Sequence, residues 1–442
     1  MRDTIYIFRH IARIVIEMES PIAISSGRDN IMTDSSIMKD INGLPYIPGT
    51  SITGVIRNNI NFLNSNEKDK LFGFQTQQSG QGSKIIISDA IMIGNDGKPK
   101  DGIQSIDFTN EFYKKFQALP IRQHVCINDK GVNKGTGKFD EEIVYKGTRF
   151  CFEIELMSQT DNRELFGKIM DTICSDYLRI GSGTRKGFGK ASVITEQSGI
   201  AHLNLKEPKD LELYLKKTTN LSDSWIGFNV FDGKQKDDNC WETYSINIHP
   251  IDFFLFSSGF KDDDADMSPV YEEYITWSQN NKPKFTEQKN ILIPASSIKG
   301  ALSHRVAYYW NKLNKKYADN KEGLCGSSNP AVFALFGGAE ENSRRGNVII
   351  SDIYGPNLMT KIHSHVKIDR FTGGTIKSGL FFEKTVYGRN NDFELKIIVN
   401  KAAYIDKTIE ESLKLAIEDL RNGRLPLGGG VNRGNGIFIE QK

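Results

Sequence analysis

The chain says nearly everything twice, and that repetition limits its fold more than any other feature. Arg13-Ile-Val-Ile-Glu-Met-Glu-Ser-Pro-Ile22 alternates like a half-buried strand and leads to Ser25-Ser-Gly27; Thr243-Tyr-Ser-Ile-Asn-Ile-His-Pro-Ile251 does the same and leads to Ser257-Ser-Gly259. Each half then carries an acidic loop and a proline-led helix start, Tyr46-Ile-Pro-Gly-Thr-Ser-Ile-Thr-Gly-Val-Ile-Arg57 and Ile293-Pro-Ala-Ser-Ser-Ile-Lys-Gly-Ala-Leu-Ser-His-Arg305. Leu71-Phe-Gly73 answers Leu335-Phe-Gly337, and Lys84-Ile-Ile-Ile-Ser-Asp89 answers Asn347-Val-Ile-Ile-Ser-Asp352. Gln123-His-Val-Cys-Ile-Asn-Asp129 matches Ser364-His-Val-Lys-Ile-Asp-Arg370, and Lys138-Phe-Asp-Glu-Glu-Ile-Val-Tyr145 matches Leu380-Phe-Phe-Glu-Lys-Thr-Val-Tyr387. A strand, an amphipathic helix (about 163–178 and 409–421), a glycine-rich turn and a last strand close each half.

The order strand, helix, strand, strand, helix, strand predicts an α+β fold of two tandem ferredoxin-like (RRM-like, βαββαβ) domains with long inserted loops. Residues 1–200 form the first, 201–240 a linker with some structure of its own, and 241–442 the second. At 442 residues the chain exceeds one ordinary core. Lys plus Arg number 57 against 55 Asp plus Glu, so bulk charge does not advertise nucleic acid and any anion site is local. Five scattered cysteines without a C-x-x-C pair point to reduced thiols. With no 18-residue apolar run and no signal-like start, the expectation is a cytoplasmic protein with no membrane association.

Two features suggest phosphate binding. A helix start lined by Ser51 or Ser297 offers unpaired backbone N–H groups and a positive dipole end. The turns Arg179-Ile-Gly-Ser-Gly-Thr-Arg-Lys-Gly-Phe-Gly189 and Leu425-Pro-Leu-Gly-Gly-Gly-Val-Asn-Arg-Gly-Asn-Gly436 lack the Gly-Lys-Ser/Thr of a nucleotide loop, yet glycines such as Gly183 and Gly430 let backbone lie flat on a ligand. Arg185, Lys186 and Arg433 supply charge there.

Taken together, the helix starts, the Leu-Phe-Gly and Ile-Ser-Asp landmarks, the Ile368-Asp-Arg-Phe-Thr-Gly-Gly374 loop and the glycine-rich turns resemble the RAMP superfamily of CRISPR-associated proteins, closest to the backbone subunits of type III effector complexes. The resemblance spans both halves and implies a tandem fusion of the type III-D kind. It implies subunits that line up along a guide RNA (crRNA), thumb-like β-hairpins around 123–140 and 364–382 that kink the guide–target duplex at every sixth nucleotide, and partners comprising complementary target RNA and other RAMP subunits. It further implies a loop aspartate that cleaves target RNA with a divalent metal, Mg2+ or Mn2+. Asp34 takes that position in Thr33-Asp-Ser-Ser-Ile-Met-Lys-Asp40, with Ser36 where the family has proline. In the second half Asp266 takes it, although one residue separates it from Ser268-Pro-Val270, and Asp262, Asp263 and Asp264 are alternatives. Arg57, Lys299 and Arg305 on the first helices, Arg370 in the thumb loop, and His124 and His365 at the thumb bases complete the expected RNA contacts. The same residues leave open a guide-binding scaffold with inert acidic loops, and a guide-processing endoribonuclease of the same superfamily, against which the thumb segments weigh.

Overall fold

The computed structural model describes residues 6–27, 33–128, 133–233, 239–316, 324–338 and 343–441, with backbone alone for 133–136. Each half builds one antiparallel sheet around its longest apolar strand. In the first, Phe8–Met18 lies between Arg149–Ser158 and Gly199–Asn204, in register Ile14↔Phe152 and Ile11↔Ala201. Ala90–Met92 continues beyond Arg149–Ser158. In the second, the spatial order is Val348–Ile350, Phe393–Asn400, Trp241–Pro250, Phe438–Glu440. That is second, third, first, fourth strand, the order of a ferredoxin-like unit. The helices Gly49–Asn59 and Arg163–Ile173 cover the first sheet, and Ala295–Leu313 and Lys407–Arg421 the second. Ile52, Ile56, Phe166 and Ile169 bury one helix face in the first core; Ile298, Leu302, Leu413 and Ile417 do so in the second.

Both thumbs are present. Ile121–Ile127 pairs with Asn133–Glu142, and Thr360–Ile368 with Thr375–Tyr387, each with a register shift at the same place, Val125/Ile127 and Val366/Ile368. The tip of the first, 129–132, lies outside the described residues.

Residues 201–240 do more than link. Gly199–Asn204 is a strand of the first sheet that runs past residue 200, Asn229–Val230 pairs with Gly199 and Ile200, and Leu221, Trp225 and Phe231 are buried against that domain; 234–238 lie outside the described residues. The acidic loop of the second half is the longer one, and the additional chain forms a hairpin, Ile275–Trp277 with Pro283–Phe285, that clasps the first half. Ile275 N–H donates to Lys146 O at 2.9 Å, and Trp277 Nε1 donates to Gly147 O at 2.7 Å beneath the Arg149 guanidinium. Gly147 sits at φ +83°, where a Cβ would lie 1.9 Å from Ile275 O. Phe285 stacks edge-on against Tyr145 and joins Phe112 and Phe116.

Candidate nucleic-acid interface

The two acidic loops return to the base of their thumbs along one path. Ser26 Oγ lies 2.9 Å from Ser36 Oγ, and Ser258 Oγ lies 3.2 Å from Ser268 Oγ, with Ser26 N–H and Ser258 N–H donating to Ser36 O and Ser268 O. Ser36 therefore matches Ser268, and Ile37 rather than Ser36 stands at the place of Pro269, which puts Asp34 and Asp266 at the same place, two residues upstream of the serine. The residue separating Asp266 from Ser-Pro-Val has its counterpart in Ser35, so the apparent offset between the two halves disappears.

Each of these aspartates is fastened to the second thumb strand. Asp34 Oδ2 accepts from Asp140 N–H at 3.0 Å, and Asp266 Oδ2 accepts from Phe382 N–H at 3.0 Å. Their own N–H groups donate back, to Asp140 Oδ1 and to Phe382 O. Asp34 is exposed and Asp266 partly so. Lys261 Nζ, 2.8 Å from Asp266 Oδ1, together with the Phe382 N–H, holds the Asp266 carboxyl below its ordinary range. Asp262 and Asp264 face Lys384 instead, at 3.0 and 3.6 Å.

Among the described residues no group of three or more His, Cys, Asp or Glu is arranged to hold a metal ion. Mg2+ needs less, one or two carboxylates with water and phosphate oxygens completing the shell. In the first unit Asp34 and Asp140, each of whose carboxylates accepts from the other's backbone N–H, are of the right chemistry for that requirement. In the second unit the Asp266 carboxylate is already paired with Lys261.

Beneath each aspartate lies a buried glutamate. Glu141 Oε1 is 2.9 Å from His124 Nε2 and 3.4 Å from Lys186 Nζ; Glu383 Oε2 is 3.2 Å from His365 Nε2, and its Oε1 accepts from Arg433 Nη2 at 2.6 Å. The histidines stack on Phe139 and Phe381 with ring centroids 5.0 and 4.9 Å apart. Although burial opposes its ionisation, His124 and Lys186 keep the Glu141 carboxyl below the usual carboxylate range. The two glycine-rich turns align through this geometry: Ile180 N–H bonds Gly189 O and Leu427 N–H bonds Gly436 O, which sets Lys186 opposite Arg433 and Gly183 opposite Gly430. Phe139, Phe381, Glu141 and Glu383 are not among the residues that charge or motif picks out, but all four stand at equal places in the matched thumb segments. That equality is the signal by which the sequence could have pointed to them.

The helix starts differ from expectation. Pro48 and Pro294 are the N-caps, no side chain at that position bonds the first turn, and Ser51 and Ser297 lie inside the helices. Nor is the first N–H left for a ligand: Gly49 N–H donates to Asp89 Oδ1 at 2.7 Å and Ala295 N–H to Asp352 Oδ1 at 2.8 Å. The aspartate of each Ile-Ser-Asp landmark already supplies the negative charge that the helix end favours. At Asp352 this cap is locked by Arg122 of the first thumb, whose Nη1 reaches Asp352 Oδ2 at 2.6 Å while Nε and Nη2 grip Glu272 at 2.5 and 2.7 Å. Asp89 is exposed.

Because thumb one leans on the second unit, a cavity of about 700 Å³ opens between them. Ile121, Val125 and Ile127 form the thumb wall; Ser297, His304 and Gly429 face it from the helix and the glycine-rich turn. Positive charge gathers at the seam. Lys299 is lowered to about 8 by burial and by its neighbours Arg185 and Lys186, and Arg185 to about 9 by burial, Arg345 and Arg179. Arg185 nevertheless gives its Nε–H to Gly346 O at 2.7 Å, tying the two units together. Arg57 pairs with Asp69, and Arg305 with Asp419 at 3.3 Å and Arg424 O at 2.8 Å, so both engage protein on their own units. Arg370 stands exposed at the second thumb tip.

A family model described as the RAMP superfamily matches residues 15–192 and 278–439, one segment in each unit and well over half of the chain. A comparison with curated proteins found no match.

Proposed function

We propose that this chain, which belongs to the RAMP superfamily and is thereby supported as a CRISPR-associated RNA-binding subunit, is a two-unit backbone subunit of a type III RNA-guided effector complex that holds guide RNA and cleaves the complementary target RNA through Asp34 and Asp266. The observation that carries this reading is the pair of aspartates, each bonded to the backbone at the base of its own thumb at matching positions. A thumb that splays the duplex at its base would bring a target 2′-OH and its phosphate to that carboxylate. RNA carries its own nucleophile, so aligning the 2′-OH with the phosphorus and accepting its proton is what the carboxylate has to do. A divalent metal held by Asp34 with Asp140, or by Asp266, would supply positive charge at the phosphate.

We place the guide along the cavity between thumb one and the second unit, whose lining residues Ser297 and Gly300 flank Lys299 in the helix; Lys299, with Arg185 and Lys186 as its charged neighbours, would meet phosphates at the edge of that cavity. Further subunits fit the two ends. Val366, Ile368, Phe371 and Leu380 on thumb two are exposed, and so is Asp89, which caps the first helix of the first unit. Such a head-to-tail contact, where its rotation does not close into a ring, extends along a guide.

A second reading, a scaffold whose second unit does not cut, is favoured by Lys261 on Asp266. The test is to co-purify the chain with its neighbouring subunits, sequence the RNA that accompanies it, and add end-labelled complementary RNA with Mg2+. Spacer-containing RNA and two cuts are expected. A chain that brings no RNA overturns the reading as a whole, and one cut supports the scaffold in the second unit.

A further inference from the structure

We propose that Glu141 and Glu383 are positioning residues, each holding the aspartate of its own unit in place and coupling it to the glycine-rich turn; this deepens the cleavage reading above and rests on it. Both glutamates are almost fully buried, at 6% and 1% exposure. A buried carboxylate is expensive unless paired on every side. Each is met by a thumb histidine and by the cation of the glycine-rich turn. Each also directly follows the residue whose N–H bonds the aspartate, Asp140 before Glu141 and Phe382 before Glu383. The loop stays alongside for one more step, with Glu142 N–H donating to Ser35 O at 3.0 Å and Lys384 N–H to Met267 O at 2.9 Å.

Comparing the two units within this one chain separates what the arrangement needs from what it tolerates. The turn cation is Lys186 in one and Arg433 in the other, the residue before the glutamate is Asp140 or Phe382, and the residue after it is Glu142 or Lys384. What stays the same is the glutamate, the histidine beside it, the phenylalanine under that histidine, and the aspartate strapped to the strand. A buried ion pair serving stability alone would not require the aspartate loop to track the strand beside it in both units. Through the glutamate, the turn that carries charge toward the guide is joined to the strand that carries the cutting carboxylate. Neutralising the glutamate leaves shape but releases the turn cation, and the strand can then shift by the fraction of an ångström that in-line attack does not tolerate.

The experiment uses the assembled complex with Glu141→Gln, Glu383→Gln and Glu383→Asp, beside Asp34→Ala and Asp266→Ala. Guide content is measured together with the single-turnover rate of each cut at saturating labelled target. Glu383→Gln is expected to slow the second unit's cut on the order of 10–100-fold, with guide content and the first unit's cut unchanged as internal controls of folding. Glu141→Gln should do the converse, and Glu383→Asp, whose charge the long Arg433 side chain can follow, should recover part of the rate. Gln variants with both cuts at wild-type rate, while the aspartate variants lose theirs, overturn the inference alone. Equal slowing of both cuts with loss of guide also overturns it, because the glutamates would then be general supports. If the aspartate variants keep every cut, the cleavage reading falls, and this inference falls with it.

Discussion

Replacing Arg122 by alanine removes the cation that lies between two buried carboxylates of the other unit. Its guanidinium grips both oxygens of Glu272 and one of Asp352, with side-chain exposures of 6%, 10% and 0%. An exposed ion pair would be worth under about 1 kcal/mol. Here solvent cannot take over, and removing one partner of a buried pair costs about 3–5 kcal/mol. Loss of the contact between the guanidinium and the Phe188 ring, 4.9 Å from its centroid, acts in the same direction. At about 2–4 °C per kcal/mol for a domain of this size, melting should fall by roughly 6–20 °C. The Asp352 carboxyl, pushed up by burial and held back by Arg122, should then rise further and take up a proton. The assay is thermal unfolding of Arg122→Ala, Glu272→Gln and the double variant. The cycle should be strongly non-additive, because Glu272→Gln removes part of the charge stranded by the first change. A fall worth less than about 1 kcal/mol, or an additive cycle, would show that the thumb does not lock the second unit through this network.

Acid should destabilise the first unit. His10 is buried, its Nε2 accepts from Asn162 N–H at 3.2 Å and its Nδ1 lies 2.9 Å from His202 Nδ1, and burial followed by His202 lowers it to about 4. A depressed folded value favours the neutral form, so this stability is present above the unfolded value near 6.5 and disappears as pH falls toward 4; about 2 kcal/mol should be lost between pH 7 and pH 5, and His10→Gln should flatten that profile in chemical denaturation. Lys261→Ala should raise the Asp266 carboxyl toward its ordinary range and lower the Mg2+ concentration that half-saturates the second cut; an unchanged requirement would mean that the ammonium does not compete there. RNA affinity should fall steeply with salt, with Lys299→Ala reducing the log–log slope by about 0.7 if it meets one phosphate of a single strand. A slope that stays the same would place Lys299 off the RNA path.

The doubled landmarks made the sheet order legible, because alternation and strand–helix order are local signals and here each is given twice. The thumbs and the equal placing of His124 and His365 were legible in the same way. What could not be read is what depends on partners far apart in the chain. Arg122 meets Glu272 across 150 positions and Gly49 meets Asp89 across 40, and no periodicity encodes either. The helix starts therefore looked vacant when each already held a carboxylate. Arg57, Arg185 and Arg305 each have a partner on the protein that residue type and position alone could not show. Nor could the sequence show that Gly199–Asn204, which runs past residue 200, pairs with the strand Phe8–Met18, almost a whole domain upstream.

The central claim is that each unit carries its own cutting aspartate, and mapping cuts on an end-labelled target with Asp34→Ala and Asp266→Ala complexes tests it most directly. Each variant should lose one cut, the two lost cuts should lie one guide repeat apart, and guide content should not change. A complex in which Asp34→Ala leaves every cut at the wild-type rate would contradict the account.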